Sequence, residues 1–172
     1  EGRWPVLMTR LPYGKDLSAG SALLDPVQAA RRGYVVIVQD TRGTGTSDGE
    51  WYPIVHEASD GLDAIAWAAG LPYSDGQVGM YGASYFGFTQ WAAAVQKLPA
   101  LKALVPFETW RDPFNGQATR GGATELGLGA SWHLGMGLNV LMRRHADDPA
   151  VLGQAVYAYA QEVDCLGTAG YW

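Results

Sequence analysis

Short, continuous apolar runs set the rhythm of this chain. Pro5 to Thr9, Tyr34 to Asp40, Gln77 to Tyr81 and Leu101 to Pro106 are apolar without alternation, as expected of strands buried on both faces. Between them the period changes to that of a helix. Asp25-Pro26 supplies an N-cap and a first-turn proline for a helix through Arg32, which Gly33 closes. From Glu57 to Ala69, Leu62, Ile65, Ala66 and Ala69 share one helical face, and Gly70 and Pro72 end the pattern. Asp75-Gly76 reads as the turn into the third strand. Tyr85 to Gln96 is apolar nearly all round, which predicts a helix buried on most sides.

Strands alternating with helices predict a parallel sheet with right-handed crossovers. Beyond Phe107 the pattern changes. Trp110 to Gly129 is rich in Gly and Thr, no strand pattern returns, and Ser131 to Arg144 and Asp147 to Val163 read as helices. The predicted organisation is an α/β core over residues 1–108 and the beginning of a helical cap over 109–172. The chain does not start with Met and stops at Trp172 without a terminating signal, so both ends look cut and localisation stays open.

Composition narrows the classes. A net charge of -5 leaves no electrostatic footprint for nucleic acid or an anionic membrane, and no apolar run approaches a membrane span. Cys165 is the only cysteine, which excludes an intrachain disulfide and a cysteine-based metal site. It is expected to be a small buried hydrophobe.

The chemistry concentrates at Val78-Gly79-Met80-Tyr81-Gly82-Ala83-Ser84-Tyr85-Phe86-Gly87. A serine at the tip of a strand-to-helix turn, with small residues around it, is the expected nucleophile of an α/β-hydrolase elbow. The competing reading is a helix N-cap serine. One detail departs from the usual elbow. Glycine is expected two positions after the serine, but Phe86 stands there and glycine follows at Gly87.

Gly82-Ala83-Ser84-Tyr85-Phe86-Gly87 resembles the Gly-x-Ser-Tyr-x-Gly elbow of the cocaine-esterase and X-Pro dipeptidyl-peptidase family of α/β-hydrolases. The resemblance extends to Pro5 to Lys15, Arg32 to Gly43, Asp60-Gly61, Asp63, Trp67 and Gly76 to Met80. It implies an α/β-hydrolase fold, here a partial parallel sheet of about four strands with helices on both faces. It also implies a serine hydrolase of ester or amide bonds, working through an acyl-enzyme, with X-Pro dipeptidyl-peptidase activity as the alternative. No metal or organic cofactor is implied. The expected partner is a small ester, amide or short peptide, with no nucleic acid and no membrane, and the oligomeric state stays open.

Acyl transfer needs donors aimed at the oxygen that becomes negative. The backbone N–H of Tyr85, the residue after the nucleophile, is one. The second comes from the loop Arg10 to Lys15. The resemblance makes it the Tyr13 hydroxyl, a phenol that stays protonated at neutral pH. In the family the acid and base follow later strands, so neither is assigned here and negligible turnover is expected of these 172 residues alone. His133 and His145 follow Ser84 but fall in predicted cap helices, and His56 reads as a polar cap or loop residue.

Other candidates carry less. The Gly43-x-Gly45 loop could cradle a phosphate, but Trp51 to Val55 intervene before any helix. Asp40 and Arg42 are expected to brace that loop. A non-catalytic interaction module remains a rival. Trp110, Trp132 and Phe114 could line an acyl pocket, and Glu108, Asp112 and Glu125 could anchor a free amine, with no signal that separates them from ordinary packing and surface charge.

Overall fold

The computed structural model describes residues 2–17 and 23–168, the side chains of 166–168 excepted. Four strands, β1 (Trp4–Leu11), β2 (Val35–Asp40), β3 (Ser74–Ala83) and β4 (Leu101–Phe107), form one sheet in the order β2-β1-β3-β4. Every neighbouring pair is parallel. The helices between them are α1 (Pro26–Arg31), α2 (Glu57–Ala69) and α3 (Ser84–Ala94). Asp25 Oδ1 accepts the Val27 and Gln28 N–H groups at 2.9 and 3.1 Å, so α1 starts at the predicted cap.

Strand order decides where a site can form. From β1 to β2 the chain moves one way across the sheet, and from β2 to β3 and on to β4 it moves the other way. Right-handed crossovers then put α1 on one face and α2 and α3 on the opposite one. In open parallel sheets such a reversal is where ligands bind, outside the carboxyl ends of the two strands that flank it, here β1 and β3. The loop with Tyr13 leaves β1 there, and Ser84 leaves β3 there.

The core lies under α2 and α3. Val6 and Met8 stand in register with Val35 and Ile37 on one side and with Val78 and Met80 on the other. Ala64, Ile65 and Ala68 of α2 and Ala93 of α3 close over them. Ile65 is fully buried, and trimming such a residue to alanine typically costs about 2–5 kcal/mol. As its composition requires, α3 is buried around most of its circumference.

Several boundaries differ from the sequence reading. Asp75-Gly76 lies inside β3 as an irregularity rather than before it: β1 advances from Trp4 to Val6 while β3 advances from Ser74 to Val78. Short strands do return after Phe107. β5 (Thr119–Arg120) and β6 (Ala123–Thr124) pair antiparallel around Gly121-Gly122, a hairpin too short to leave a periodic trace.

The chain divides into two units, Glu1–Arg111 and Asp112–Trp172. The second holds that hairpin, α4 (Leu126–Arg144) and α5 (Pro149–Thr168). α4 starts earlier than expected, through Gly127 and Gly129, each of which costs only about 1 kcal/mol of helix propensity. Cys165 is exposed, not buried. On α5 the less exposed residues Leu152, Ala155, Tyr159 and Val163 make a single seam, and Cys165 falls off it. Among the described residues no helix is long and apolar enough to cross a membrane.

Candidate active site

The elbow is built from backbone. Ala83 is extended at φ -103° and ψ 168°, and Ser84 turns into the left-handed region at φ 50°. That conformation costs an L-residue about 1–2 kcal/mol, so neighbours must hold it. The Ser84 N–H donates to the Glu108 carbonyl at 3.2 Å, and Thr109 Oγ1 donates to the Ser84 carbonyl at 2.6 Å. Glu108 is itself left-handed at φ 45°. The end of β4 therefore grips the Ser84 turn from the side.

The unusual glycine spacing has a steric reason. Gly82 has φ 148°, and a Cβ there would lie 2.8 Å from the Phe86 carbonyl oxygen and run into the Phe86 ring. Gly82 thus makes room for the large residue that stands where a glycine is expected. Gly87 faces Thr109, whose Cβ would lie 2.6 Å from an added methyl group. Each glycine serves one close approach.

Tyr85 points inward and is fully buried. Its phenol donates to Glu57 Oε1 at 2.8 Å and accepts the Ile54 N–H at 2.7 Å. Glu57 Oε2 lies 3.3 Å from Arg10 Nη1, and Arg10 Nε donates to Gln39 Oε1 at 2.8 Å. Burial pushes the Tyr85 phenol up, and the Glu57 charge adds to this, so Tyr85 remains an O–H donor. Burial also pushes the Glu57 carboxyl up, while Arg10 and then the Tyr85 hydrogen bond oppose it.

Sequence reasoning missed Arg10 and Glu57. Arg10 shares its strand face with Val6 and Met8, and a charge on a core-facing position was the available signal. Glu57 at the start of α2 looks like any acid at a helix N-terminus. Gln90 was missed too. Fully buried on α3, it donates from Nε2 to Gly82 and Phe86 carbonyls, both at 3.1 Å, and accepts the Val105 N–H at 3.0 Å.

Tyr13 is half-buried in the loop after β1, with its ring edge-on to Phe86 at 6.1 Å. The structure therefore brings the Tyr13 loop against the first turn of α3, where Ser84 and Tyr85 sit. Asp40 anchors this loop. Its carboxylate accepts the Lys15 N–H at 2.6 Å, the Lys15 ammonium at 3.1 Å and the Thr46 N–H at 3.1 Å. Lys15 Nζ also reaches Thr46 Oγ1.

The anion that the Gly43 loop cradles is thus Asp40's own carboxylate. Its Gly43 N–H goes to the Asp48 carbonyl at 2.9 Å, and α2 starts only at Glu57. A phosphate site would need those N–H groups facing outward. Arg42 braces the loop from outside through Nε and Nη2, at 2.9 and 2.6 Å from the Asp60 carboxylate. Those hydrogen bonds hold the Asp60 carboxyl below its usual range.

The remaining candidates have local roles. Trp110 stacks on Phe88 with centroids 6.0 Å apart, and Phe114 is 72% exposed. Trp132 lies edge-on to His133, whose Nδ1 is 2.6 Å from the Gly129 carbonyl. His145 is the C-cap residue of α4. His56 occupies the N-cap position of α2, but its side chain makes no capping hydrogen bond. Asp112 Oδ1 accepts the Phe114 N–H at 2.9 Å, and Glu125 pairs with Arg120 at 3.0 Å. Among the described residues no group of three or more His, Cys, Asp or Glu could hold a metal ion.

With this geometry in view, residues 1–168 match the model of one family, the X-Pro dipeptidyl-peptidase (S15) family. The chain belongs to that family. It is 35% identical over 175 aligned positions to the cocaine esterase of Rhodococcus sp. (strain MB1 Bresler), covering 98% of this chain and 30% of the relative. A CocE/NonD family hydrolase from Staphylococcus aureus superposes with a TM-score of 0.72 at 32% identity, covering 87% of this chain and 29% of that one. An aminopeptidase from a marine sediment archaeon, Thaumarchaeota archaeon, superposes with a TM-score of 0.64 at 28% identity, covering 78% and 26%. The four-stranded parallel sheet is accordingly part of an α/β-hydrolase fold. The chain spans about a third or less of the length of each of these relatives.

Proposed function

We propose that the protein is a serine hydrolase of ester or amide bonds, with Ser84 as nucleophile and the Tyr85 N–H and Tyr13 hydroxyl as oxyanion donors. The observation that carries this reading is the left-handed Ser84 backbone between β3 and α3, gripped by Glu108 and Thr109. Family membership supports it. A helix N-cap serine needs no such strain.

In this mechanism Ser84 Oγ attacks the acyl carbonyl as a general base takes its proton. The tetrahedral oxyanion forms between the two donors, collapse expels the alcohol or amine with a proton, and water resolves the acyl-enzyme. The base and the acid that orients it belong, on this reading, to the further length that the relatives have. On this reading residues 109–172 are the beginning of a helical cap domain.

A small ester is the first choice of substrate, supported by the likeness to an esterase. The family's description supports a second reading, release of an X-Pro dipeptide from a peptide N-terminus. The test is labelling of the full-length protein by a fluorophosphonate probe, followed by turnover of p-nitrophenyl esters and X-Pro anilides. Labelling that disappears in Ser84→Ala is expected. Labelling that persists in that variant, or is absent from the parent, would sink the assignment.

A further inference from the structure

Glu57 bridges the two elements that carry the oxyanion donors. It is 3% exposed, with one carboxylate oxygen on the Tyr85 phenol and the other on Arg10, near the end of β1. Tyr85 is therefore held at its phenol end. Its phenol is locked between Glu57 and the Ile54 N–H, while its own N–H opens the helix beside Ser84. Arg10 belongs to the strand end from which the Tyr13 loop departs, and its carbonyl accepts Thr89 Oγ1 of α3 at 3.2 Å.

Stability alone does not account for this arrangement. A buried ion pair is often matched or bettered by apolar residues of similar volume, because desolvation offsets the attraction. Arg10 Nη1 donates to Glu57 Oε2 and to the Glu57 carbonyl, both at 3.3 Å, so the carboxylate itself is met by one prong and not two. What the polar network supplies, and an apolar core cannot, is direction: each hydrogen bond fixes the angle of the group that it holds.

We infer that Glu57 is a positioning residue for the oxyanion site, orienting the Tyr85 N–H through the Tyr85 phenol and the Tyr13 loop through Arg10. This rests on the acyl-transfer reading above. Glu57 touches no reacting atom. It acts by keeping two donors from different elements in one geometry, the condition for stabilising charge without reorganisation.

The test uses the full-length protein, with active sites counted by the fluorophosphonate probe and turnover of p-nitrophenyl acetate expressed per labelled site. Tyr85→Phe, which removes one oxygen, is expected to lower kcat about tenfold or more with KM within about twofold, less than the loss of a whole donor. Arg10→Met/Glu57→Leu removes both charges together. It leaves the Tyr85 hydroxyl and Gln39 without these partners, so the melting temperature is expected to fall, while kcat per labelled site in the folded protein stays as low as in Tyr85→Phe.

A purely structural role predicts parent kcat per labelled site in the folded double variant whatever its melting temperature, and that result would overturn the proposal. Parent turnover per site in Tyr85→Phe would overturn it as well, leaving the Ser84 assignment intact. A parent protein without Ser84-dependent labelling would remove both, which distinguishes the two failures.

Discussion

Ser84 and Glu108 face each other across the carboxyl end of the sheet, both left-handed at φ 50° and φ 45°, joined by a 3.2 Å hydrogen bond from the Ser84 N–H to the Glu108 carbonyl. Two strained residues, each just past the end of one of two adjacent strands, thus hold one turn. Removing the strain at Ser84 should show as stability. Because only glycine relaxes at positive φ, Ser84→Gly is expected to exceed Ser84→Ala by about 1 kcal/mol. Denaturant unfolding of the two variants measures this, and an alanine variant as stable as the glycine one would mean that the turn is not strained.

Thr109 tests the side grip. Thr109→Val keeps the shape but deletes the donor to the Ser84 carbonyl, with an expected loss of about 1 kcal/mol. In the full-length protein, fluorophosphonate labelling should slow in the same variant. Unchanged stability and labelling would show that Glu108 suffices.

Asp40 tests the loop that carries Tyr13. Asp40→Ala removes the acceptor of the Lys15 and Thr46 N–H groups. Leaving such donors unsatisfied costs about 1–3 kcal/mol each when they are buried, so a loss of about 2–3 kcal/mol is expected at this part-buried site. Amide hydrogen exchange should accelerate first at residues 15 and 46. Retained protection at both would refute the anchoring role.

Glu57 sets a pH dependence. Burial raises its carboxyl, opposed by Arg10 from β1 and Tyr85 from α3; on its own helix, Asp60 adds to the rise and His56 opposes it. A group raised on folding contributes stability that is complete below its unfolded pKa of about 4.3 and is lost as pH rises through the folded value. Glu57→Gln is expected to flatten that part of the stability–pH curve. The carboxyl carbon shift of Glu57 provides a direct check, and a midpoint at or below about 4.3 would contradict it. Asp60 has the opposite sign. Its stabilisation, from the Arg42 hydrogen bonds, is present above about 3.9 and is lost as pH falls through the lowered folded value.

By itself the sequence determined what depends on local pattern. Four apolar runs are strands, the Glu57 to Ala69 stripe is a helix with those bounds, and Asp25-Pro26 caps a helix. Ser84 between a strand and a nearly all-apolar helix was legible because a strand-to-helix turn is a local event, and the family motifs lie in contiguous stretches. The bulge at Asp75-Gly76 and the hairpin at Gly121-Gly122 were not legible, since each is fixed by pairing geometry and not by periodicity.

Only the tertiary structure decided what lies beside the elbow. The Thr109 hydroxyl, 25 positions from Ser84, and the Glu57 carboxylate, 28 from Tyr85, became neighbours through the strand order β2-β1-β3-β4. Nothing in their own surroundings along the chain marks them. A hydrogen bond depends on distance and angle in space, whereas a sequence pattern records only distance along the backbone.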